Sequence, residues 1–165
     1  MARWSRVFID NACYHIVARG NQKQTVFLCI DDYTRYISIL KKAKRKYGIL
    51  LYAYCLMNNH VHLLIEANNA SNISKFMHWI NRGYTAYFNA KYKKTGHLWQ
   101  GRFRSRPIVK GRYLINTALY IEDNPVRKKI VSDPAGYAWN SYRERCLLTE
   151  KSILDELKID CSYNG

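Results

Sequence analysis

A short, mainly apolar run at positions 57–66 of the chain carries two histidines, His60 and His62, separated by one residue. Because strand residues point alternately to the two faces of a sheet, this pattern predicts a strand with one apolar face and one polar face. His60 and His62 would lie side by side on the polar face. The residues predicted to face a core are Val61, Leu63 and Ile65.

The same kind of pattern predicts the neighbouring elements. A β-rich run at 49–57 is separated from the histidine strand only by Asn58-Asn59. Asparagine tolerates positive φ, so this pair predicts a tight hairpin. Elsewhere the chain predicts a first strand at 12–19 and helices at 31–47, at about 71–94 and at about 112–124.

The histidine pair allows two interpretations. Two imidazoles at a fixed separation on a rigid strand suit a divalent metal ion, because each offers a lone pair. The alternative is that His60 and His62 are ordinary polar residues on a solvated sheet face. His15, on the first predicted strand, is interpreted as a structural histidine unless that strand lies beside His60.

The predicted helix 112–124 has a polar side opposite its apolar stripe. At the helical rotation per residue, Tyr120 and Asn124 fall on the same face, one turn apart. A metal ion or phosphate held by Asn124 would therefore be within reach of the Tyr120 hydroxyl. The apolar stripe is predicted to be Leu114, Ile115, Ala118, Leu119 and Ile121.

Length and charge narrow the class of protein. The chain has 165 residues, with 27 lysines and arginines against 12 acids, and a formal net charge of +15. One domain and a polyanionic partner are predicted. With no apolar stretch long enough to span a membrane and no secretory signal, we expect a cytoplasmic protein. The five cysteines include no CxxC pair and are interpreted as reduced thiols.

Basic residues concentrate in the segment 91–112, which contains no acid and includes Tyr92, Trp99 and Phe103. Arginine pairs with phosphate and aromatic rings stack on unpaired bases, so this segment favours single-stranded or distorted nucleic acid as partner. The alternative is a solvated basic loop with Trp99 packed into the core.

Four motifs, taken together and in this order, resemble one family. They are Tyr14-His15-Ile16-Val17-Ala18-Arg19-Gly20-Asn21, Asn59-His60-Val61-His62-Leu63-Leu64, Gly96-His97-Leu98-Trp99-Gln100-Gly101-Arg102-Phe103 and Tyr120-Ile121-Glu122-Asp123-Asn124-Pro125-Val126-Arg127. The chain thus resembles the REP-associated tyrosine transposases, bacterial relatives of the single-strand insertion-sequence transposases within the HUH endonuclease superfamily. The resemblance covers residues 14–142 and is more specific than the histidine pair alone.

The resemblance implies an α+β fold, a ferredoxin-like or RRM-like sandwich whose central antiparallel sheet has helices packed on one face. The histidine pair would lie on a central strand. We expect one HUH tyrosine transposase domain over residues 1–143, including the basic DNA-binding loop 91–112, and a peripheral C-terminal tail over residues 144–165.

The family's chemistry implies roles for four residues. Its two histidines and a polar side chain one helical turn after the catalytic tyrosine bind a divalent metal ion, Mg²⁺ or Mn²⁺; these positions match His60, His62 and Asn124, and the nucleophile matches Tyr120. Attack on single-stranded DNA would leave a 5′-phosphotyrosine and a free 3′-hydroxyl, and the reverse step would join new DNA. Because an amide is a weaker ligand than histidine or carboxylate, loose metal binding is expected.

The resemblance also implies a partner. The family acts on repeated extragenic palindromes, which fold as imperfect DNA hairpins beside a short flanking tetranucleotide, so we expect a bacterial, nucleoid-associated protein that binds single-stranded or hairpin DNA. We expect a monomer whose Tyr120 faces its own histidines. The alternative is a dimer whose subunits exchange their tyrosine helices. The residues predicted to hold the hairpin and read its flank are Arg3, Trp4, Arg6, Lys94, His97, Trp99, Arg102, Arg104, Arg106 and Arg112.

Two departures and two alternative functions remain. Asn58 stands where the family commonly has proline, and Asn140-Ser141 where it has a serine pair; neither belongs to the implied metal or nucleophile site. The first alternative is a domesticated protein that binds hairpin DNA with little or no cleavage. The second is an RRM-like RNA-binding module, which would need stacking aromatics where this strand has histidines.

Overall fold

The structure is a computed structural model that describes residues 6–147 and 152–157. Within these residues no helix has the length and apolar character needed to cross a membrane. The strands are β1 (Ala12–Arg19), β2 (Ile49–Met57), β3 (His60–Ala67) and β4 (Arg104–Ile108). The helices are α1 (Ile30–Tyr47), α2 (Ser71–Tyr92), α3 (Arg112–Glu122), α4 (Asn124–Arg127) and α5 (Tyr142–Leu147), with 3-10 turns at Asn21–Lys23 and Pro134–Gly136.

The four strands of the described chain form an antiparallel sheet in the order β2-β3-β1-β4. The chain order β1-α1-β2-β3-α2-β4 combined with this strand order is a ferredoxin-like arrangement, so the predicted α+β fold class is confirmed. β3 and β1 are the central pair. Their register places His60 opposite Arg19 and His62 opposite Val17, in the middle of the sheet.

The predicted hairpin at Asn58-Asn59 is confirmed, with Met57 paired to His60 across the turn. The turn is held against the end of β1, because the Gly20 N–H donates a 2.8 Å hydrogen bond to the Asn59 carbonyl. A Cβ at Gly20 would lie 2.4 Å from the Gln24 carbonyl oxygen, so glycine permits this close approach. The histidines are thus anchored beside a rigid turn.

One face of the sheet is apolar and is covered by α1 and α2. Val61, Leu63 and Ile65 are fully buried there, as the alternation predicted. Helix α1 begins where the Asp32 carboxylate accepts hydrogen bonds from the N–H groups preceding it, and it ends at Gly48 with a φ of 60°. This face contains the main hydrophobic core.

The opposite face carries the histidines and is covered by α3. Leu114, Ala118 and Ile121 pack against Leu64 and Cys55 in a second, smaller core. The helices therefore lie on both faces of the sheet, whereas the sequence predicted them on one face. The physical reason is that every residue of β3 is buried, so its polar face also needs a covering layer.

The chain after α4 returns to the sheet. The Glu122 carboxylate, buried at the end of α3, accepts hydrogen bonds from Ser141 at 2.5 Å and from Arg145 at 2.9 Å. Further along, Ile153 is buried in the main core and Asp155 accepts a 2.8 Å hydrogen bond from the Leu51 N–H. Part of the segment 144–165 thus packs on the domain, and residues 148–151 and 158–165 of the predicted tail lie outside the described residues.

Candidate active site

Three histidines meet on the polar face of the sheet. His60 and His62 follow each other on the same side of β3, and their ring centroids are 4.9 Å apart. His15 on β1 faces the same way, because β1 and β3 are adjacent and antiparallel. Its Nε2 lies 2.9 Å from the His62 Nδ1, and the two rings stack at 5.1 Å.

The hydrogen bonds of the motif histidines use one ring nitrogen each. His60 Nδ1 lies 2.6 Å from Asn59 Oδ1, and His62 Nδ1 is bonded to His15. The other nitrogen of His62, Nε2, is buried and has no hydrogen-bond partner among the described residues. A ring fixed through Nδ1 with a free Nε2 is the arrangement found in metal-binding histidines. This orphaned nitrogen fits a divalent cation.

Burial keeps these imidazoles neutral at pH 7. Burial, together with the neighbouring His60, His15 and Arg19, lowers the pKa of His62 to about 3. The pKa of His60 falls to about 4 through burial and through the charges of Arg19 and Lys128. Burial also lowers the pKa of His15 to about 4. Neutral imidazoles can accept a metal ion without first losing a proton.

Tyr120 lies on the same side of the sheet as the histidines of its own chain. Its side chain is 43% exposed, and its ring centroid is 6.3 Å from that of His15. The Arg127 guanidinium carbon lies 4.7 Å from the Tyr120 ring centroid. Tyr120, His15 and Arg106 border one cavity of about 490 Å³ between β4 and α3. The tyrosine therefore faces open space beside the histidine cluster.

Asn124 is placed differently from its sequence prediction. Helix α3 ends at Glu122, and Asn124 begins the separate helix α4. Its Nδ2 donates 3.1 Å hydrogen bonds to the carbonyls of Tyr120 and Ile121, so the side chain caps α3 and is only 5% exposed. The oxygen Oδ1 is the atom left for a ligand. No hydrogen bond between described residues joins Asn124 to a histidine.

The apolar stripe of α3 is narrower than predicted. Leu114, Ala118 and Ile121 are buried as expected, but Leu119 is 48% exposed. The helix contacts a flat sheet across a narrow strip, so a side chain at the edge of the stripe stays in solvent. Leu119 borders a shallow depression beside Tyr120 instead.

The donor set available for a metal ion is small. Within residues 6–147 and 152–157, no group of three or more histidine, cysteine, aspartate or glutamate side chains is arranged to hold one. His15 bonds to His62 and so serves as its hydrogen-bond partner. Two imidazole nitrogens and an amide oxygen would leave coordination positions for phosphate and water.

Comparison with known families supplies the next observation. The sequence profile of the IS200-like transposases matches residues 8–124, which include β1, the histidine strand and all of α3. The chain belongs to this family. No curated protein sequence matches the chain.

Two solved structures share the fold of this chain. A REP-associated tyrosine transposase bound to a REP hairpin superposes with a TM-score of 0.77 at 16% identity, over 100% of this chain and 97% of the other. A Deinococcus radiodurans protein assigned as a transposase superposes with a TM-score of 0.51 at 20% identity, over 74% of this chain and 97% of the other. At these identities the likeness concerns the fold.

Six of the residues predicted to bind DNA fall into two groups. Arg104 and Arg106 on β4 lie on the histidine face, and Arg106 pairs with His15 across the sheet. A second group lies on the opposite side, around a cavity beside α2: Arg6, His97, Trp99 and Arg102. Arg112 begins α3, and the Lys94 ammonium lies 5.5 Å from the Phe88 ring centroid. Arg3 and Trp4 lie outside the described residues.

The ring of Trp99 packs into the core, as the alternative interpretation of the segment 91–112 predicted. It is 8% exposed and packs in the main core beside Tyr36 and Tyr84, with ring centroids 6.3 and 6.0 Å away. Its ring is thus unavailable as a stacking platform. Its Nε1, however, is buried without a hydrogen-bond partner among the described residues.

Two features of the site could not be read directly from the sequence. His15 becomes part of the histidine cluster because β1 lies beside β3. The sequence predicts a structural role for His15 unless its strand lies next to that of His60. Arg127 meets Tyr120 because the chain turns between α3 and α4. The only sequence signals were the position of His15 on a predicted strand and the basic residues after Pro125.

Proposed function

We propose that this chain is a metal-dependent single-stranded DNA endonuclease and strand transferase that cleaves and rejoins hairpin DNA through Tyr120. The observation that carries the proposal is the histidine face. His62 has a buried, unpartnered Nε2, His60 lies beside it, and the ring of Tyr120 is 6.3 Å from that of His15, the hydrogen-bond partner of His62. Membership of a transposase family supports the same reaction class.

The metal ion would be Mg²⁺ or Mn²⁺, held by His60, His62 and Asn124 Oδ1. The residues fit this role because both histidines are held through Nδ1 and are neutral, and because the Asn124 amide has its oxygen free of hydrogen bonds to the described residues. When bound, the cation would neutralise charge on the scissile phosphate and orient it. His15 would act as a positioning residue by fixing the ring and tautomer of His62.

The proposed covalent step uses Tyr120 as nucleophile. Its Oη forms a bond to phosphorus while the bond from phosphorus to the 3′ oxygen breaks. The 3′ oxygen leaves as a hydroxyl after taking up a proton, and the phenol proton is lost to solvent. The products are a 5′-phosphate on Tyr120 and a free 3′-hydroxyl. Attack by the 3′-hydroxyl of another strand reverses the step, so joining needs no nucleotide cofactor.

Two arginines support this chemistry by their positions. Arg106 borders the same cavity as Tyr120, where its guanidinium can pair with a phosphate oxygen. Arg127 covers one face of the Tyr120 ring and restrains its orientation. Because Tyr120 lies on the histidine face of its own chain, we propose a site completed within one monomer.

The proposed substrate is a hairpin formed by palindromic single-stranded DNA. The net charge of +15 favours a polyanion, and the solved REP-associated tyrosine transposase with the same fold is bound to a REP hairpin. The exposed arginines of β4 lie beside the site and are suited to phosphate contacts that position the strand.

The experiment that tests the proposal detects a covalent protein–DNA adduct. A labelled single-stranded hairpin is incubated with the protein and Mg²⁺ or Mn²⁺ and resolved on a denaturing gel, with the duplex form of the same DNA alongside. Tyr120→Phe removes the nucleophile. Tyr113→Phe is the matched control, because Tyr113 is 70% exposed on the same helix and borders the same cavity.

A metal-dependent adduct on single-stranded DNA that persists in Tyr113→Phe and is lost in Tyr120→Phe would support the proposal. Tight hairpin binding with no adduct, over several flanking sequences and both metals, would contradict the cleavage reaction. It would favour a protein that binds hairpin DNA without cutting it.

A further inference from the structure

Arg19 is an exposed cation on the histidine face, and the proposed reaction assigns it no role. The residues of β1 at positions 15, 17 and 19 share the face that carries the histidines. In the antiparallel register, Arg19 is the partner of His60. Side chains of residues paired in this way lie next to each other, with Cβ atoms about 5 Å apart. The Arg19 side chain therefore leaves the sheet beside that of His60.

The charge of Arg19 reaches both histidines of the pair. Burial is the main cause of the lowered pKa of His60 and of His62, and the charge of Arg19 contributes at both rings. The charge of Lys128 also acts on His60. Positive charge beside a proposed cation site is unfavourable unless an anion lies between them. The anion that this site would receive is a DNA phosphate.

The guanidinium of Arg19 is available to such an anion. Within residues 6–147 and 152–157, no hydrogen bond, ion pair or cation–π contact joins the Arg19 side chain to another residue. Its backbone is fixed, because the Arg19 carbonyl accepts a 2.8 Å hydrogen bond from the Gln100 N–H. The next residue, Gly20, donates one of 2.8 Å to the Asn59 carbonyl. A free guanidinium on a fixed backbone is suited to pair with phosphate oxygens.

The histidines separate Arg19 from Tyr120 along the sheet. Three successive levels of this face are occupied by His15, then by His62, and then by His60 together with Arg19. Tyr120 lies at the first level, since its ring is 6.3 Å from that of His15. Arg19 is four residues further along β1, a backbone distance of about 13 Å at about 3.3 Å per residue. A phosphate held over His60 and His62 would thus have Tyr120 on one side and Arg19 on the other.

This order matches the geometry of an in-line displacement at phosphorus. The attacking and leaving oxygens lie on opposite sides of the phosphorus in such a reaction. With Tyr120 Oη entering from the His15 side, the 3′ oxygen departs towards Arg19. Negative charge develops on that oxygen as its bond to phosphorus breaks. Hydrogen bonds from a guanidinium at this place lower the energy of the transition state.

We propose that Arg19 is a catalytic residue that binds the scissile phosphate on the side of the leaving 3′ oxygen. The inference rests on the proposed cleavage by Tyr120. The bond from Tyr120 Oη to phosphorus forms, and the bond to the 3′ oxygen breaks with its electron pair on that oxygen. Solvent supplies the proton, because a guanidinium donates hydrogen bonds but stays charged. In the joining step the same contact orients the attacking 3′-hydroxyl.

The first measurement compares the rate of adduct formation with the affinity for DNA. The rate is taken at saturating protein in Mn²⁺, and the affinity by fluorescence anisotropy in EDTA, where cleavage does not interfere. Arg19→Ala is expected to slow the reaction about 100-fold, as the loss of one transition-state hydrogen-bond donor does, and to weaken binding much less. Arg19→Lys should recover part of the rate, because lysine keeps the charge without the planar fork.

Arg45→Ala is the matched control, because it removes the same charge from an exposed position of α1. It should keep both the rate and the affinity of the wild-type protein. Thermal unfolding checks that each variant is folded. An Arg19→Ala variant that reacts as fast as Arg45→Ala, or that loses affinity and rate by the same factor, would overturn the inference.

A modified substrate isolates the leaving group. Sulfur replaces the 3′ bridging oxygen at the cleaved position, and a thiolate, with its lower pKa, leaves more easily without hydrogen bonds. The deficit of Arg19→Ala should therefore shrink to about tenfold or less on this substrate. A deficit of the same size on both substrates would contradict a contact on the side of the leaving oxygen.

A last measurement detects the phosphate contact without cleavage. In EDTA, each phosphate of the single-stranded DNA is replaced in turn by a neutral methylphosphonate. Wild-type binding should weaken at the cleaved position, and Arg19→Ala should be insensitive to the replacement there. No position whose effect depends on Arg19, or a dependent position other than the cleaved one, would overturn the inference.

This measurement separates the inference from the proposed cleavage. A phosphate whose contribution depends on Arg19, in a protein that forms no adduct, would support the phosphate contact and contradict the endonuclease. An adduct that forms at the wild-type rate in Arg19→Ala would contradict the role of Arg19 alone.

Discussion

The two faces of the sheet are made from alternate residues of the same strands, yet they differ in every chemical respect. On β3, Val61, Leu63 and Ile65 face α1 and α2 and are fully buried in an apolar core. Their immediate neighbours, His60 and His62, face α3 and form a polar cluster. A shift of one residue along the strand thus separates core packing from candidate chemistry.

Both faces contain buried polar groups that are paired and buried polar atoms that are not. On the α1 and α2 side, Asp32 accepts hydrogen bonds from the Leu28 N–H before α1 and from the side chains of Lys91 and Tyr92 on α2. On the α3 side, Glu66 is similarly satisfied by Tyr52 and Lys110, but His62 Nε2 is not. Tyr36 Oη, Asn81 Oδ1 and Trp99 Nε1 on the α1 and α2 side are also buried without a partner among the described residues. An unpaired atom therefore indicates a candidate metal position only where a second metal-binding group lies beside it, as His60 does beside His62.

The largest expected effect is on the free energy of unfolding, and it comes from comparing substitutions at two adjacent residues of β3. Leu63→Ala should lower the free energy of unfolding by about 2–5 kcal/mol, because it leaves a cavity in the main core. His62→Leu should lower it by less, about 1 kcal/mol, because leucine fills the space of the imidazole and the loss is the hydrogen bond between His62 Nδ1 and His15 Nε2. Urea unfolding measures both. Equal destabilisation by the two substitutions would contradict the division between the faces.

A second test sharpens the role of His15 within the polar face. His15→Ala should lower the affinity for Mn²⁺ by about 10–100-fold, as the loss of a hydrogen-bond partner of a metal-binding histidine does. Electron paramagnetic resonance titration of free Mn²⁺ measures the affinity, and His15→Gln should recover part of it. Unchanged Mn²⁺ binding in His15→Ala would contradict the positioning role.

The third test measures how the stabilisation by Asp32, on the opposite face of the sheet, depends on pH. Burial of Asp32 opposes its ionisation, but hydrogen bonds from Tyr92 and Lys91 outweigh this and hold its pKa at about 2, below its ordinary value. A lowered pKa in the folded state stabilises the protein above the unfolded pKa, and that contribution is lost as pH falls towards 2. Asp32→Asn should therefore cost roughly 2 kcal/mol at pH 7 and much less near pH 2.

Chemical denaturation at several pH values measures this difference. Asp31→Asn is the matched control, because the Asp31 side chain is 83% exposed on the same turn of α1. An Asp32→Asn variant whose deficit in unfolding free energy stays constant down to pH 2 would contradict the proposed origin of the effect.

The smallest expected effect concerns an exposed cation at the edge of the polar face. Arg106→Ala should weaken binding of single-stranded DNA uniformly across sequences and lower the slope of log K against log salt by about 1. Arg45→Ala, an exposed arginine of α1, should leave both quantities unchanged. Identical salt slopes for the two variants would show that Arg106 contacts no phosphate.

Local features of the fold could be predicted from the sequence. The hairpin at Asn58-Asn59, the end of α1 at Gly48 and the core face of β3 depend on turn chemistry and alternation within a few residues. The family resemblance correctly placed the chain among relatives of the IS200-like transposases. Roles of individual site residues stay predictions.

Long-range features could not be predicted, because they depend on how distant segments meet. His15 joins His62 through strand order, and α3 covers the polar face because all of β3 is buried. Asn124 turned out to cap α3, since the helix stops at Glu122 before Asn124 begins α4. The cavity beside α2, with Asn81 in its wall, is formed by one face of this helix and the loop 96–103, two segments that no sequence period connects.

The measurement that tests the central claim most directly is adduct formation by mixed variants. Tyr120→Phe lacks the proposed nucleophile and His62→Leu lacks a proposed metal ligand, so each alone should form no covalent adduct with hairpin DNA in Mn²⁺. If one chain provides both groups, wild-type protein forms the adduct and an equal mixture of the two variants does not. A mixture that regains the adduct, or an adduct formed by either variant alone, would contradict the account.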